Sequence, residues 1–237
     1  MTAADLLDRA QRTAEPVPQL SLPDVAAAYQ VQHAVIALRL GRGEVLVGAK
    51  LGFTSKAKMA QMGVDDVIAG QLTDAMRFSD GGDVPLAELI HPRIEPEIAF
   101  RLGPGLVPDA VAPALEIIDS RYVDFRFSLP DVIADNTSAA AFAVGAWQVL
   151  PPDLGNRAVV LEAGGAVAET GSTAAILGQP LRALAALGRL ARQHAIPVRP
   201  GDVVLAGAAT AAIGFTAGVY TVRVAGLGTV TVRGTRG

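Results

Sequence analysis

The stretch His91-Pro92-Arg93-Ile94-Glu95-Pro96-Glu97-Ile98-Ala99-Phe100-Arg101-Leu102 decides how the chain is read. From Ile94 to Leu102, apolar Ile94, Ile98 and Phe100 share one parity while Glu95 and Glu97 share the other, the period of a β-strand. Residues two apart on a strand point to the same face, so both carboxylates project the same way. Two anionic side chains on one face repel each other and are costly to bury unless a cation or a shared proton compensates them. The same spacing also fits the solvated polar face of an amphipathic strand.

A third carboxylate lies further along the chain. Glu116 interrupts the apolar run Ala114-Leu115-Glu116-Ile117-Ile118, a second strand candidate over 114–119. Lone carboxylates inside apolar strands are rare, and three such groups would give Mg²⁺ or Mn²⁺ the oxygen ligands it requires. The competing reading pairs Glu116 with Arg93 or Arg121. Towards the N-terminus, Val45 to Lys50 is a short apolar run, followed by Gly52 and then Thr54-Ser55 before Lys56-Ala57-Lys58-Met59. This reads as strand, turn and capped helix. Lys50 ends that strand, where it can neutralise a substrate carboxylate or move a proton; an edge-strand lysine that blunts aggregation fits equally well. Asp74 follows Leu72-Thr73 at a strand end, and Asp135-Asn136-Thr137-Ser138 concentrates polar groups between apolar segments, as turns and caps do.

Helical spacing marks residues 2–14 and 23–41, the latter ending at Gly41 and Gly43. A β-rich body is expected to begin around Ile94. It continues with a strand over 139–149, a hairpin over 158–169 about Gly164-Gly165, an amphipathic helix over 180–195, and strands over 202–206, 218–224 and 229–233. Strands grouped together with helices towards the ends predict an α+β fold with a mixed or antiparallel sheet. The predicted division is an N-terminal α/β portion over 1–80, contributing Lys50 and Asp74, and a β-rich catalytic domain over 81–237.

Composition excludes several functions. The 237 residues are 51% hydrophobic and 5% aromatic with a net charge of −3, so no basic face or row of rings offers itself to nucleic acid. With no cysteine, disulfide and thiolate chemistry are absent and a metal must be held by oxygen or imidazole ligands. No segment is read as a membrane-spanning helix, and Asp5, Asp8 and Arg9 stand where a signal peptide needs apolar residues, so a cytoplasmic location is expected. The three histidines are His33, His91 and His194, of which two fall in predicted helices. HExxH, GxSxG, P-loop and dinucleotide-binding glycine motifs are all missing.

The order of the blocks GAKLGFTSKAKMAQMGV, HPRIEPEIAF, ALEIIDSRY, FRFSLPDVIADNTS, GDVVLAGAATAA and GLGTVTVR carries a resemblance from about Val45 to the C-terminus. The chain resembles the 2-oxopent-4-enoate hydratase and 4-oxalocrotonate decarboxylase family, a branch of the fumarylacetoacetate hydrolase superfamily. TSKAKMAQMG, EIIDSRY and the AxxTAA ending look more like the decarboxylases. Two stretches, from Phe100 to Ala114 and around Pro18 to Pro23, are shorter than the family pattern.

The resemblance implies a mixed β-sandwich or roll with a small N-terminal α/β portion. It implies Glu95, Glu97 and Glu116 as ligands of Mg²⁺ or Mn²⁺, Lys50 and Asp74 as catalytic groups, and Ser138, Arg121, Gly207 and Thr210 at the substrate. The reaction it implies is metal-dependent decarboxylation of 2-oxo-3-hexenedioate to 2-hydroxypenta-2,4-dienoate in aromatic meta-cleavage catabolism. A hydratase acting on 2-hydroxypenta-2,4-dienoate is the nearest alternative, followed by an acylpyruvate-type hydrolase and a non-catalytic partner subunit. Assembly into a homo-oligomer, with or without a hydratase of the same pathway, is also implied.

Overall fold

The computed structural model describes residues 1–236. Two helices open the chain, α1 (Ala3–Thr13) and α2 (Val25–Gly41). Thr2 caps α1 in a reciprocal box with Asp5, and the Asp24 carboxylate caps α2. Next come β1 (Leu46–Gly52), α3 (Lys56–Met62) capped by Ser55, β2 (Ile68–Thr73), β3 (Arg77–Phe78) and β4 (Gly82–Pro85). The antiparallel pair β5 (Arg93–Leu102) and β6 (Pro108–Ile118) follows, then α4 (Leu129–Ala134) and β7 (Ala139–Val144). The chain ends with β8 (Ala158–Ala163), β9 (Ala166–Ser172), α5 (Leu181–His194), β10 (Val203–Ala208), β11 (Ile213–Gly214), β12 (Gly218–Val224) and β13 (Gly228–Thr235).

These strands form two sheets, one ordered β2-β1-β10-β5-β6-β7-β3 with β11 added to β5, the other β4-β13-β12-β8-β9. In the first sheet the chain leaves one edge at Thr73 and joins the opposite edge at Arg77. A flat sheet of that order would separate its edges by roughly 29 Å at about 4.8 Å per strand. The intervening residues reach at most about 14 Å. The sheet must therefore curl into a roll.

The strand register identifies the inward face. Lys50 lies opposite Gly70 on β2 and Leu205 on β10, Leu205 opposite Ala99, Glu97 opposite Ala114, Glu95 opposite Glu116, and Glu116 opposite Phe142. Directly paired residues share a face, so Lys50 and the three glutamates point into the roll. Leu72, Met76, Ala99, Ala114, Phe142, Val203 and Leu205 form a small apolar core on that side. The other face of the roll packs against the helices and the second sheet through a larger core that includes Ile98, Phe100, Leu115, Val222 and Val232.

Most expected elements form close to their expected limits. β6 runs back to Pro108, β7 stops at Val144, and β2 is an element that periodicity does not reveal because both of its faces are buried. The sheet begins at Leu46 rather than near Ile94, so β1 and β2 hydrogen-bond into the same sheet as β10, across the division placed at residue 80. The short segment before Ala114 is a turn over 103–107 that keeps β5 and β6 in register.

Candidate metal centre

The neighbouring strands β5 and β6 bring Glu95, Glu97 and Glu116 together so that one carboxylate oxygen from each lies within 4.8 Å of the others. Glu97 and Glu116 are buried, while Glu95 is partly exposed. The site therefore opens on the Glu95 side. Lys50 is the cation that faces them: its Nζ stands 3.0 Å from Oε2 of Glu116 and donates to the Thr137 carbonyl at 3.2 Å. Glu116 thus pairs with neither arginine considered for it.

Electrostatics follow from that arrangement. Burial pushes the Glu95 carboxyl up to about 7, with Glu116 adding to the shift and Lys50 opposing it. Burial and the neighbouring Glu116 raise Glu97 well above the usual carboxylate range, and burial raises Glu116 against the pull of Lys50. Lys50 is desolvated, yet the charges of Glu116, Glu95 and Glu97 outweigh that loss and hold its ammonium above the ordinary lysine value. It is a fixed cation more than a proton shuttle.

Three carboxylates against one ammonium leave the interior short of positive charge. Among the described residues, Oε1 of Glu97 and both oxygens of Glu116 are buried without an aligned hydrogen-bond partner, the Lys50 contact being ionic. Buried acceptors are ordinarily satisfied, so these oxygens fit a hard divalent cation. The second oxygen of Glu97 accepts the Gly207 amide at 2.7 Å, which orients the carboxylate. Gly207 has φ +114, and a Cβ there would stand 2.0 Å from Oγ1 of Thr54. Only glycine allows that approach.

The loop after α4 closes the other side. Asn136, Thr137 and Ser138 all have left-handed backbones with φ between 50 and 57, a conformation unfavourable for such residues. Asn136 compensates by pairing with both backbone groups of Gln71: its Oδ1 accepts from the Gln71 amide at 2.7 Å and its Nδ2 donates to the Gln71 carbonyl at 2.8 Å. A side chain at Gly70 would meet the Asn136 carbonyl at 2.5 Å. The hydroxyls of Thr137 and Ser138 are buried and unpartnered, beside the carbonyl that receives Lys50.

Other expected site residues lie elsewhere or serve a different purpose. Asp74 is not brought to the cluster: it sits in the turn between β2 and β3, where its Oδ1 accepts the amides of Val45 at 2.8 Å and Ala75 at 2.9 Å. That places it beside the opposite end of β1 from Lys50, tying down a strand end. Arg121 is buried, and its guanidinium is spent on the Asp135 carboxylate and the carbonyls of Asp135 and Ala139. It clamps the loop carrying Thr137 and Ser138, which is a positioning task, with the guanidinium buried against Asp135. Thr210 bonds the Ala211 carbonyl. Sequence reasoning missed Asn136, Gly70 and Thr137; the only signal was the polar cluster at 135–138, which reads as an ordinary turn.

No protein-family model matches the chain. A 4-oxalocrotonate decarboxylase from Pseudomonas sp. is 48% identical over 230 residues, covering 91% of this chain and 90% of that protein. The chain belongs to the 4-oxalocrotonate decarboxylase and 2-keto-4-pentenoate hydratase family. A 2-keto-4-pentenoate hydratase from Burkholderia vietnamiensis is 39% identical, over 87% of this chain and 85% of its own length. Decarboxylase and hydratase are both lyases, and the chain is a lyase of this family. A crystal structure of 4-oxalocrotonate decarboxylase from Pseudomonas putida G7, complexed with magnesium and adipate, matches with a TM-score of 0.92 at 37% identity, over 98% of this chain and 95% of that one. The α+β fold is shared with the fumarylacetoacetate hydrolase from Exiguobacterium antarcticum, with a TM-score of 0.61 at 12% identity, over 82% of this chain and 76% of that one. No helix among the described residues is long and apolar enough to cross a membrane.

Proposed function

We propose that this lyase decarboxylates 2-oxo-3-hexenedioate (4-oxalocrotonate) to 2-hydroxypenta-2,4-dienoate with Mg²⁺ or Mn²⁺ held by Glu95, Glu97 and Glu116. The observation that carries this choice is the 48% identity to a 4-oxalocrotonate decarboxylase over 91% of the chain. The bound cation would supply Lewis acidity at the 1-carboxylate and 2-oxo oxygens of the substrate, where negative charge develops.

The chain's own groups do the rest. The bond between the distal carboxylate and its carbon breaks, CO₂ leaves, and the electron pair shifts through the conjugated carbons to the 2-oxygen, which takes one proton to give the 2-hydroxydienoate. Lys50 stands beside Glu116 as a desolvated positive charge that favours this shift, since its environment keeps it protonated. The Gly207 amide holds Glu97, and Arg121 and Asn136 fix the loop that presents Thr137 and Ser138. Ser138 Oγ, buried and unpartnered, is proposed to meet a substrate oxygen. Asp74 and Thr210 have no part in this reading.

A hydratase adding water to 2-hydroxypenta-2,4-dienoate is the second reading, favoured by the 39% identity to a 2-keto-4-pentenoate hydratase. A C–C hydrolase fits less well. His33 bridges Gln71 and the His194 carbonyl, and His194 stacks on Tyr29, which leaves neither to activate water beside the carboxylates. A cytoplasmic homo-oligomer, alone or with a hydratase of the same pathway, completes the proposal. The test is to offer the purified protein, with Mg²⁺, each substrate separately. Consumption of 2-oxo-3-hexenedioate with release of CO₂ is expected; consumption of the dienoate alone would select the hydratase.

A further inference from the structure

We propose that Lys58 and Arg93 form a cationic rim at the mouth of the roll that selects a dianionic substrate by meeting its distal carboxylate, a role that rests on the lyase reading above. Charge balance raises the need. Three glutamates and Lys50 sum to −2, which one divalent cation neutralises, so each carboxylate that a substrate brings is uncompensated inside the roll. Lys50 is already committed to Glu116 and Thr137. A second substrate carboxylate must find its counter-charge at the opening, which is on the Glu95 side.

Arg93 stands there. It precedes Glu95 by two residues on β5 and is exposed where Ile94 and Pro96 are buried, so it shares the carboxylate face about 6–7 Å further towards solvent. That distance is close to the length of an extended six-carbon dioate. Its guanidinium carbon lies 4.8 Å from the centroid of Phe125, and the ring is buttressed by His91 and Phe127 at 5.1 and 5.8 Å. Stacking limits the freedom of the guanidinium while leaving its N–H edge available.

Lys58 approaches from the other strand. The segment from β1 to α3 passes through Thr54, which packs against Gly207, and Gly207 in turn holds Glu97. The first turn of α3 therefore starts beside the carboxylates. Lys58 lies in that first turn, its amide donating to the Ser55 hydroxyl at 3.1 Å, and it is exposed. Neither Lys58 nor Arg93 has a carboxylate within ion-pair distance among the described residues.

Exposure suits the task. A buried cation gripping the carboxylate that departs as CO₂ would stabilise the ground state and slow the reaction. Each solvated cation is worth only about 1.4- to 5-fold in affinity, enough to recruit the dianion without locking it. Lys58→Met with Arg93→Met should thus raise KM for 2-oxo-3-hexenedioate by about 2- to 30-fold, with kcat unchanged or raised, and flatten the dependence of KM on ionic strength.

The binding test needs no turnover. Calorimetric titration of the Mg²⁺-loaded protein with adipate and with hexanoate should show adipate binding more tightly to the wild type, and the two ligands binding alike to the double variant, with hexanoate affinity and Mg²⁺ affinity unchanged. Equal losses for both ligands, no loss for adipate, or a fall in kcat without a rise in KM would overturn the rim; the single variants should each show part of the effect. Absence of CO₂ release by the wild type would refute the decarboxylase reading and leave the adipate–hexanoate comparison standing on its own.

Discussion

Replacing Glu95 by Gln removes one carboxylate from the cluster and keeps its shape, and the metal-free protein should become more stable, not less, at alkaline pH. The Glu95 carboxyl is pushed from 4.5 up to about 7, mainly by burial and then by Glu116. A folded pKa above the unfolded one means that the native state holds the proton more tightly. The associated stabilisation is complete below about pH 4.5 and is lost as pH rises through about 7. At about 1.4 kcal/mol per unit, the wild type forgoes on the order of 3 kcal/mol by pH 8. Because Glu95 is partly exposed, solvent screening brings the expected difference nearer to about 1–2 kcal/mol. Urea unfolding after exhaustive chelation, at about pH 5 and about pH 8, should show the wild type losing stability with pH more steeply than Glu95→Gln. Added Mg²⁺ should reverse the order, since it stabilises only a native state that binds it. A variant less stable than wild type at pH 8 without metal, or one with an undiminished response to Mg²⁺, would refute the reasoning.

Other substitutions separate holding the cluster from acting in it. Lys50→Met leaves the buried carboxylates without their cation and should cost about 3–5 kcal/mol in the metal-free protein, measured by denaturation, with much of the loss recovered by Mg²⁺ and turnover still depressed. Gly207→Ala forces a Cβ to 2.0 Å from Thr54 at φ +114; it should destabilise by more than about 2 kcal/mol and weaken Mg²⁺ binding by calorimetry. Asn136→Ala removes both bonds to Gln71 and should cost about 2–3 kcal/mol and lower kcat, while Asp74→Asn should leave kcat close to wild type.

How much of this could be read in the chain depends on the scale of the interaction. Alternation over 94–102 reveals a strand and the shared face of Glu95 and Glu97 because side-chain parity is a local property. The convergence of Glu116 and Lys50 with that pair depends on register across β6, β5, β10 and β1, which only the folded sheet fixes. Arg121 and Asp74 show the limit from the other side. Each lies in a stretch that suggests chemistry, yet Arg121 finds Asp135 and Asp74 finds Val45, partners that no spacing rule predicts. β2 escapes a periodicity reading because Ile68 to Thr73 is buried on both faces and carries Gly70 where the Asn136 backbone must pass. The left-handed run at 136–138 is illegible for a similar reason: it is imposed by Gln71 and Arg121, far away in sequence.

The measurement that bears most directly on the central claim is the stoichiometry of CO₂ released from 2-oxo-3-hexenedioate by the chelated protein before and after Mg²⁺ is restored, with Glu97→Gln alongside. The account predicts one CO₂ per substrate consumed on adding the metal, none before it, and none from the variant at any Mg²⁺ concentration. Undiminished CO₂ release after exhaustive chelation, or from Glu97→Gln, would contradict it.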